Sequence, residues 1–210
     1  MPEEASAAAP QPHKKFLVVG LGNPGPEYEH TYHNLGFLAI DRLAVRQGVR
    51  VSRKECQALV GRGTVAGAAA TLAKPQTYMN LSGSSVRRLL ERCELGAGNL
   101  IVIYDDLAFP WGTLRIRTRG SSGGHKGVQS VLGEVKTDEF VRLRLGIHPG
   151  REVGDGAEFV LAPMRRAQLK ELDGLLSTAC EAVESIISEG VEKAMTRFNR
   201  RAQGSKAEEE

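Results

Sequence analysis

Short apolar runs that stop after a few residues, set between stripes of helical period, constrain this chain more than any other feature of its sequence. Residues 16–20 (Phe-Leu-Val-Val-Gly) and 99–104 (Asn-Leu-Ile-Val-Ile-Tyr) have the length and continuity of strands buried on both faces. Neither approaches the roughly eighteen apolar residues of a membrane span, so the pattern is not that of an integral membrane protein. Residues 31–47 put Leu35, Leu38, Ala39, Leu43 and Ala44 on one stripe with Phe37 and Ile40, closed by Gly48. Residues 56–62 and 68–73 predict strands, 81–93 a helix, and 113–119 a strand whose alternation of Leu and Ile with Arg leaves one face wet. A short helix over 128–135, a strand over 141–147, a long amphipathic helix over 165–189 and a last helical piece over 191–198 complete the order. Strands and helices interleave without a repeat or linker, and 210 residues suffice for one well-cored domain. The expected fold is a single α/β domain, a mixed twisted sheet flanked by helices.

The ends read differently from the middle. Residues 1–15 are rich in Ala, Pro and Glu and hold almost nothing to bury, which predicts a disordered lead-in. Glu3 and Glu4, with no arginine, fit neither a signal peptide nor a transit peptide. Residues 200–210 form a polar tail ending in Glu208-Glu209-Glu210. The whole chain carries a formal +3; residues 1–15 balance at zero and residues 206–210 carry −2, so the stretch between them holds +5. Cys56, Cys93 and Cys180 are odd in number and stand in no metal-ligand spacing, which speaks against a disulfide framework or zinc finger and for a reducing compartment.

Gly20-Leu21-Gly22-Asn23-Pro24-Gly25 matches the dinucleotide pattern G-x-G-x-x-G after a predicted strand. That pattern works by opening a helix at the glycines, with the pyrophosphate on its N-terminus. Here Pro24, Gly25 and Pro26 crowd the turn, the helical stripe starts only near Thr31, and Asp41 lies inside the helix rather than at the end of a second strand. A nicotinamide cofactor is therefore rejected. A tight strand-to-loop turn, with glycines supplying unusual φ angles, explains the motif.

Ligands of open α/β sheets sit where strands end, and polar residues gather there. Asn23, Tyr28 and His33-Asn34 follow the first strand; Lys74-Pro75-Gln76-Thr77-Tyr78-Met79-Asn80 follow the third; Asp105-Asp106 and the loop Gly120–Gly127 follow later ones. His33 reads either as a cap-region histidine or as a base kept neutral by the helix N-terminus. Asp105 reads as a loop acid or as a partner for that histidine, and Asn80 as a helix cap or a ligand to substrate. The glycine loop is turn chemistry or a close approach for phosphate or ribose.

Taken in order, Val18-Val19-Gly20-Leu21-Gly22-Asn23-Pro24-Gly25, Tyr28, His33-Asn34, the Lys74–Asn80 block, Asp105-Asp106-Leu107, Gly123-Gly124-His125 and Arg142-Leu143-Arg144 resemble the bacterial-type peptidyl-tRNA hydrolases. The resemblance implies a monomeric α/β enzyme, over residues 16–199, that needs no metal or organic cofactor. It implies hydrolysis of the ester between a peptide and the terminal ribose of tRNA, a role in translation and ribosome rescue, and a cytoplasmic or mitochondrial address rather than secretion. In it, His33 takes a proton from water, Asp105 orients the imidazole, and Asn23 holds the water or the carbonyl oxygen. Tyr28 and Met79 line the cleft, Asn80 binds the peptide backbone, and Lys126 meets a phosphate or ribose oxygen. Arg117 and Arg144 grip the tRNA 5′-phosphate. Arg115, Arg117 and Arg119 share one strand face and Arg142 and Arg144 another, which by itself is also the pattern of a solvated sheet face. The chain departs from the family at Lys126 (often Asn), Tyr104 (often His) and Ala108 (often Asp). A non-catalytic RNA-binding relative of the same fold, or a small-molecule esterase, are the other readings.

Overall fold

A computed structural model describes residues 14–201; the expected lead-in and tail fall almost wholly outside them. Seven strands form one mixed sheet in the order β2-β3-β4-β1-β5-β7-β6. They are β1 (Lys15–Gly20), β2 (Arg53–Glu55), β3 (Ala58–Val65), β4 (Ala68–Pro75), β5 (Leu100–Pro110), β6 (Leu114–Arg117) and β7 (Val141–His148). The four central strands β4, β1, β5 and β7 run parallel, and β2, β3 and β6 are antiparallel to their neighbours. The helices are α1 (Leu35–Gln47), α2 (Ser82–Cys93), α3 (Lys126–Val135), α4 (Gly156–Leu161), α5 (Arg166–Glu189) and α6 (Val191–Arg201). β1 opens at Lys15 and α6 runs to Arg201, each slightly into a stretch expected to be tail.

The period of two along β1 divides the core. Val18 joins α1 and α5 on one face of the sheet, while Leu17 and Val19 join α2 and α3 on the other. Because α1 and α2 cover opposite faces, the crossovers diverge at β1, and the crevice beyond its C-terminal end becomes the natural ligand position. No helix among the described residues is long and apolar enough to cross a membrane.

The glycines after β1 are there for space more than for backbone freedom. Only Gly25 has a positive φ, 120°. A Cβ on Gly20 would land on the carbonyl oxygen of Gly36, and one on Gly22 would sit 2.7 Å from the Phe37 ring. The end of β1 thus lies directly on the start of α1, which sets Asn23 beside the turn that holds His33. Gly20→Ala is expected to force strand and helix apart and to cost about 3 kcal/mol by overpacking. Urea unfolding measures it, and a loss below about 1 kcal/mol would mean the contact yields easily.

Two elements lack a sequence signal. β2 is three charged residues, held by pairing with β3 and by Glu55, which bonds Arg53, Arg62 and Arg92. α4 is six residues long with none buried. The edge strand β6 is closed by Asn199 of α6, whose amide accepts from Ile116 N (2.8 Å) and donates to Ile116 O (3.2 Å), as a neighbouring strand would.

Candidate active site

The strand ends and loops converge on a cleft of about 560 Å³ lined by Asn23, Tyr28, His33, Met79, Asn80, Asp105, His125 and Lys126, among others. It therefore gathers every expected catalytic and substrate residue, and leaves Arg117 and Arg144 outside its lining.

Asp105 is the centre. It lies within β5 rather than in a loop, because pairing with β7 continues past Tyr104 through Leu145 and Gly146. Its residue exposure is 2%, so its charge needs partners. His33 Nδ1 lies 3.0 and 2.9 Å from its two oxygens, and His125 Nε2 lies 3.1 Å from Oδ1. Burial pushes the Asp105 carboxyl up, but the two imidazoles outweigh it and hold the group well below the usual carboxylate range.

The hydrogen bonds fix both tautomers. His125 caps α3, with Nδ1 accepting from Val128 N at 3.2 Å. Its proton must then be on Nε2, which donates to Asp105. His33 donates Nδ1–H to the same carboxylate, so its Nε2, without a partner among the described residues, presents a lone pair to the cleft. These three residues bring metal-ligand atoms within 4.8 Å of one another. Yet the nitrogens facing Asp105 carry protons, and a metal on His125 Nε2 would compete with the cap on Nδ1, so the arrangement fits hydrogen bonding better than a cation.

His33 stands in a 3-10 turn, Tyr32–Asn34, immediately before α1 rather than inside it. Tyr32 anchors the turn by stacking on Phe159 of α4 at 4.7 Å. Asn34 does not cap α1 with its side chain; it accepts from Asn23 N (2.8 Å) and donates to Asn23 O (3.0 Å). Asn23 in turn accepts Met79 N–H on Oδ1 at 2.8 Å, which leaves its Nδ2 donor for a ligand. Met79 is buried, and Gly127 makes room for its sulfur. Asn80 is exposed and caps neither neighbouring helix, so its amide is open to the cleft. Tyr28 is half-buried and Lys126 exposed on the lining.

Outside the cleft, Arg144 donates Nε–H to Asp106 at 2.6 Å and lies over the Phe109 ring, 4.6 Å from its centroid. Neither Nη has a hydrogen-bond partner among the described residues. Arg117 is exposed on β6. It stands opposite Arg142 in the ladder, as Arg115 stands opposite Arg144. Arg142 does not belong to a wet face: its side chain is buried.

The sequence marked His125 only as part of a glycine-histidine block, and its contact with Asp105 is a finding of the structure. Histidine is not among the residues favoured at a helix N-cap, so its capping of α3 gave no signal in the sequence. The wall made by Ala157, Val160 and Leu161 of α4 was not anticipated either. Tyr104, a departure from the family, packs edge-on to His125 at 4.9 Å, and burial pushes its phenol up to about 12, so it stays neutral.

A mixed α/β sheet with a carboxylate-held imidazole in a cleft at its strand ends is the arrangement of an enzyme site equipped for acid–base chemistry. The family's profile, Peptidyl-tRNA hydrolase, matches residues 17–207. The chain belongs to the peptidyl-tRNA hydrolase family. It is 56% identical over 194 residues to a peptidyl-tRNA hydrolase of Solibacter usitatus, covering 92% of this chain and 99% of the relative. It is 53% identical over 186 residues to that of Koribacter versatilis, covering 88% and 92%. The crystal structure of peptidyl-tRNA hydrolase from Acinetobacter baumannii superposes with a TM-score of 0.83 at 30% identity, over 91% of this chain and 97% of that one.

Proposed function

We propose that this chain hydrolyses peptidyl-tRNA at the ester joining the peptide to the terminal ribose, with water activated by His33. The observation that carries the reading is the Nδ1–H bond from His33 to buried Asp105, which leaves Nε2 as a base in the cleft. Nε2 takes a proton from water as the water oxygen adds to the ester carbonyl carbon. Asp105 stabilises the imidazolium that forms, the division of labour of a hydrolase triad without its serine. Asn23, its Oδ1 already occupied, offers Nδ2–H to the carbonyl oxygen as negative charge gathers there. The carbon–oxygen bond to the ribose then breaks, and the imidazolium returns its proton to the ribose oxygen. The products are free tRNA and a peptide carboxylic acid, which gives its proton to solvent and leaves as the carboxylate.

Asn80 bonds the peptide backbone, Tyr28 and Met79 shape the walls, and Lys126 meets a phosphate or ribose oxygen of the acceptor end. Arg117 with the free Nη groups of Arg144 forms the 5′-phosphate clamp, which positions the RNA without reading bases. The named relatives are bacterial, which favours the cytoplasm over the mitochondrion.

The test compares a peptidyl-tRNA with a free aminoacyl-tRNA. Turnover of the first alone is expected, and binding without turnover would favour a non-catalytic RNA-binding relative. Arg117→Ala and Arg144→Ala are each expected to weaken tRNA binding and to lower the slope of log K against log salt by about 1, with kcat at saturation unchanged. An unaltered slope in both variants would remove the clamp.

A further inference from the structure

Arg142 and Arg144 are equivalent in the sequence alternation, yet the fold treats them oppositely. Arg142 is 1% exposed and among the largest fully buried side chains. Its Nη1 donates to the carbonyls of Asp138 (2.9 Å) and Phe140 (3.3 Å), and Nη2 to that of Gly120 (2.7 Å). The guanidinium lies over the Phe140 ring, 4.0 Å from its centroid. Its buried Nε has no partner, and it makes no ion pair among the described residues. Burial pushes its pKa down, though an arginine remains charged. A buried cation without a carboxylate is costly, so the three carbonyls it holds indicate what it is kept for.

Those carbonyls belong to two segments, the approach to β7 and the exit of β6. Gly120 opens the loop that runs to His125 and Lys126, and Ser122, Gly123 and Gly124 line the cleft together with those two residues. Gly120, Gly123 and Gly124 have φ of 144°, 57° and 83°, and a Cβ on any of them would meet nothing within 4 Å. Such a loop cannot hold itself by side-chain packing. Its far end is fixed by His125, bonded to Asp105 and Val128. Its near end is fixed by the Arg142 fork.

We infer that Arg142 is a positioning residue for this loop: it sets the placement of His125 and Lys126 in the cleft and makes no contact with RNA. The inference rests on the proposed hydrolysis at this cleft. Arg142→Lys keeps the charge but cannot span three carbonyls in two segments with a planar fork. It is expected to lower kcat on peptidyl-tRNA by about 10- to 100-fold, the scale of a small misplacement of reacting groups. Because Lys126 rides on the same loop, KM should rise with the loss of its contact, whereas the salt slope for tRNA trimmed of its 3′ end, which meets Arg117 and Arg144 without Lys126, should stay at its wild-type value. Gly120→Ala leaves the guanidinium intact and strains the same anchor at a φ of 144°; it should give the same split, and the double variant should lose less than the product of the two.

Backbone amide NMR of Ser122–Lys126 without substrate supplies a readout independent of turnover. Both variants are expected to shift those resonances while the rest of the sheet keeps its own, so the tether is tested even if wild type fails to cleave peptidyl-tRNA. Wild-type kcat and unshifted loop resonances in Arg142→Lys would overturn the inference. So would a salt slope for the trimmed tRNA lowered by about 1, which would make Arg142 a phosphate ligand.

Discussion

Replacing His33 with alanine is expected to lower kcat on peptidyl-tRNA by about 10³- to 10⁴-fold, near the upper range for a lost general base. The expectation follows from lone-pair accounting in the buried triad. Three imidazole nitrogens are committed: His33 Nδ1 and His125 Nε2 donate to Asp105, and His125 Nδ1 accepts Val128 N–H. Only His33 Nε2 is left to receive a proton, so no neighbour can substitute. The cleft donors, Asn23 Nδ2 and the Asn80 amide, remain and would sustain the residual rate. Binding of tRNA should be unchanged, because Arg117 and Arg144 lie on β6 and β7 and make no bond to His33. Single-turnover cleavage and filter binding on one preparation separate the two quantities. Retention of more than about a tenth of the rate would transfer the role of base from His33 Nε2 to another group.

How far the site was legible in the sequence depended on what held each residue in place. Asn23 and Asp105 follow apolar runs within a few residues and His33 stands just ahead of a helical stripe, so a strand-and-helix reading already brings them to one end of a sheet. The chemistry of His125 depends on a tautomer set by the Val128 amide and on a carboxylate twenty residues away in the chain, and neither leaves a trace in spacing. The alternation at Arg142 and Arg144 carried a correct face and an incorrect environment. Both point away from Leu143 and Leu145, but loops close over Arg142, while Arg144 lies further along β7, against Asp106 and the Phe109 ring. In α4, Phe159, Val160 and Leu161 are consecutive rather than spaced at helical period, and the helix is defined by its Asp155 cap and by Tyr32 stacking on Phe159. Strands and long helices announce themselves by burial period; short walls and buried polar contacts are set by tertiary neighbours.

Asp105→Asn should be nearly as damaging as loss of His33, about 10⁴-fold in kcat, the scale of the same change in a serine-protease triad. An amide offers one acceptor where the carboxylate offers two. His125 can only donate toward this position, since its Nδ1 is the cap of α3. The Asn oxygen is therefore drawn to His125, and the Asn NH₂ turns toward His33 Nδ1. That nitrogen must become an acceptor, its proton moves to Nε2, and the base is lost with little movement of heavy atoms. The variant should keep tRNA affinity, and an imidazole proton spectrum should report the exchanged tautomer of His33. Stability gives a second check with a defined sign. The folded Asp105 carboxyl lies below its unfolded value of about 4, so its ionised form stabilises the fold above that pH, and this share is lost as pH falls through the folded value. The advantage of wild type over Asp105→Asn in urea unfolding should thus be present at about pH 5 and shrink below about pH 4. An Asn variant that keeps the wild-type tautomer of His33 and more than about a tenth of the wild-type kcat would mean that Asp105 does not set that tautomer.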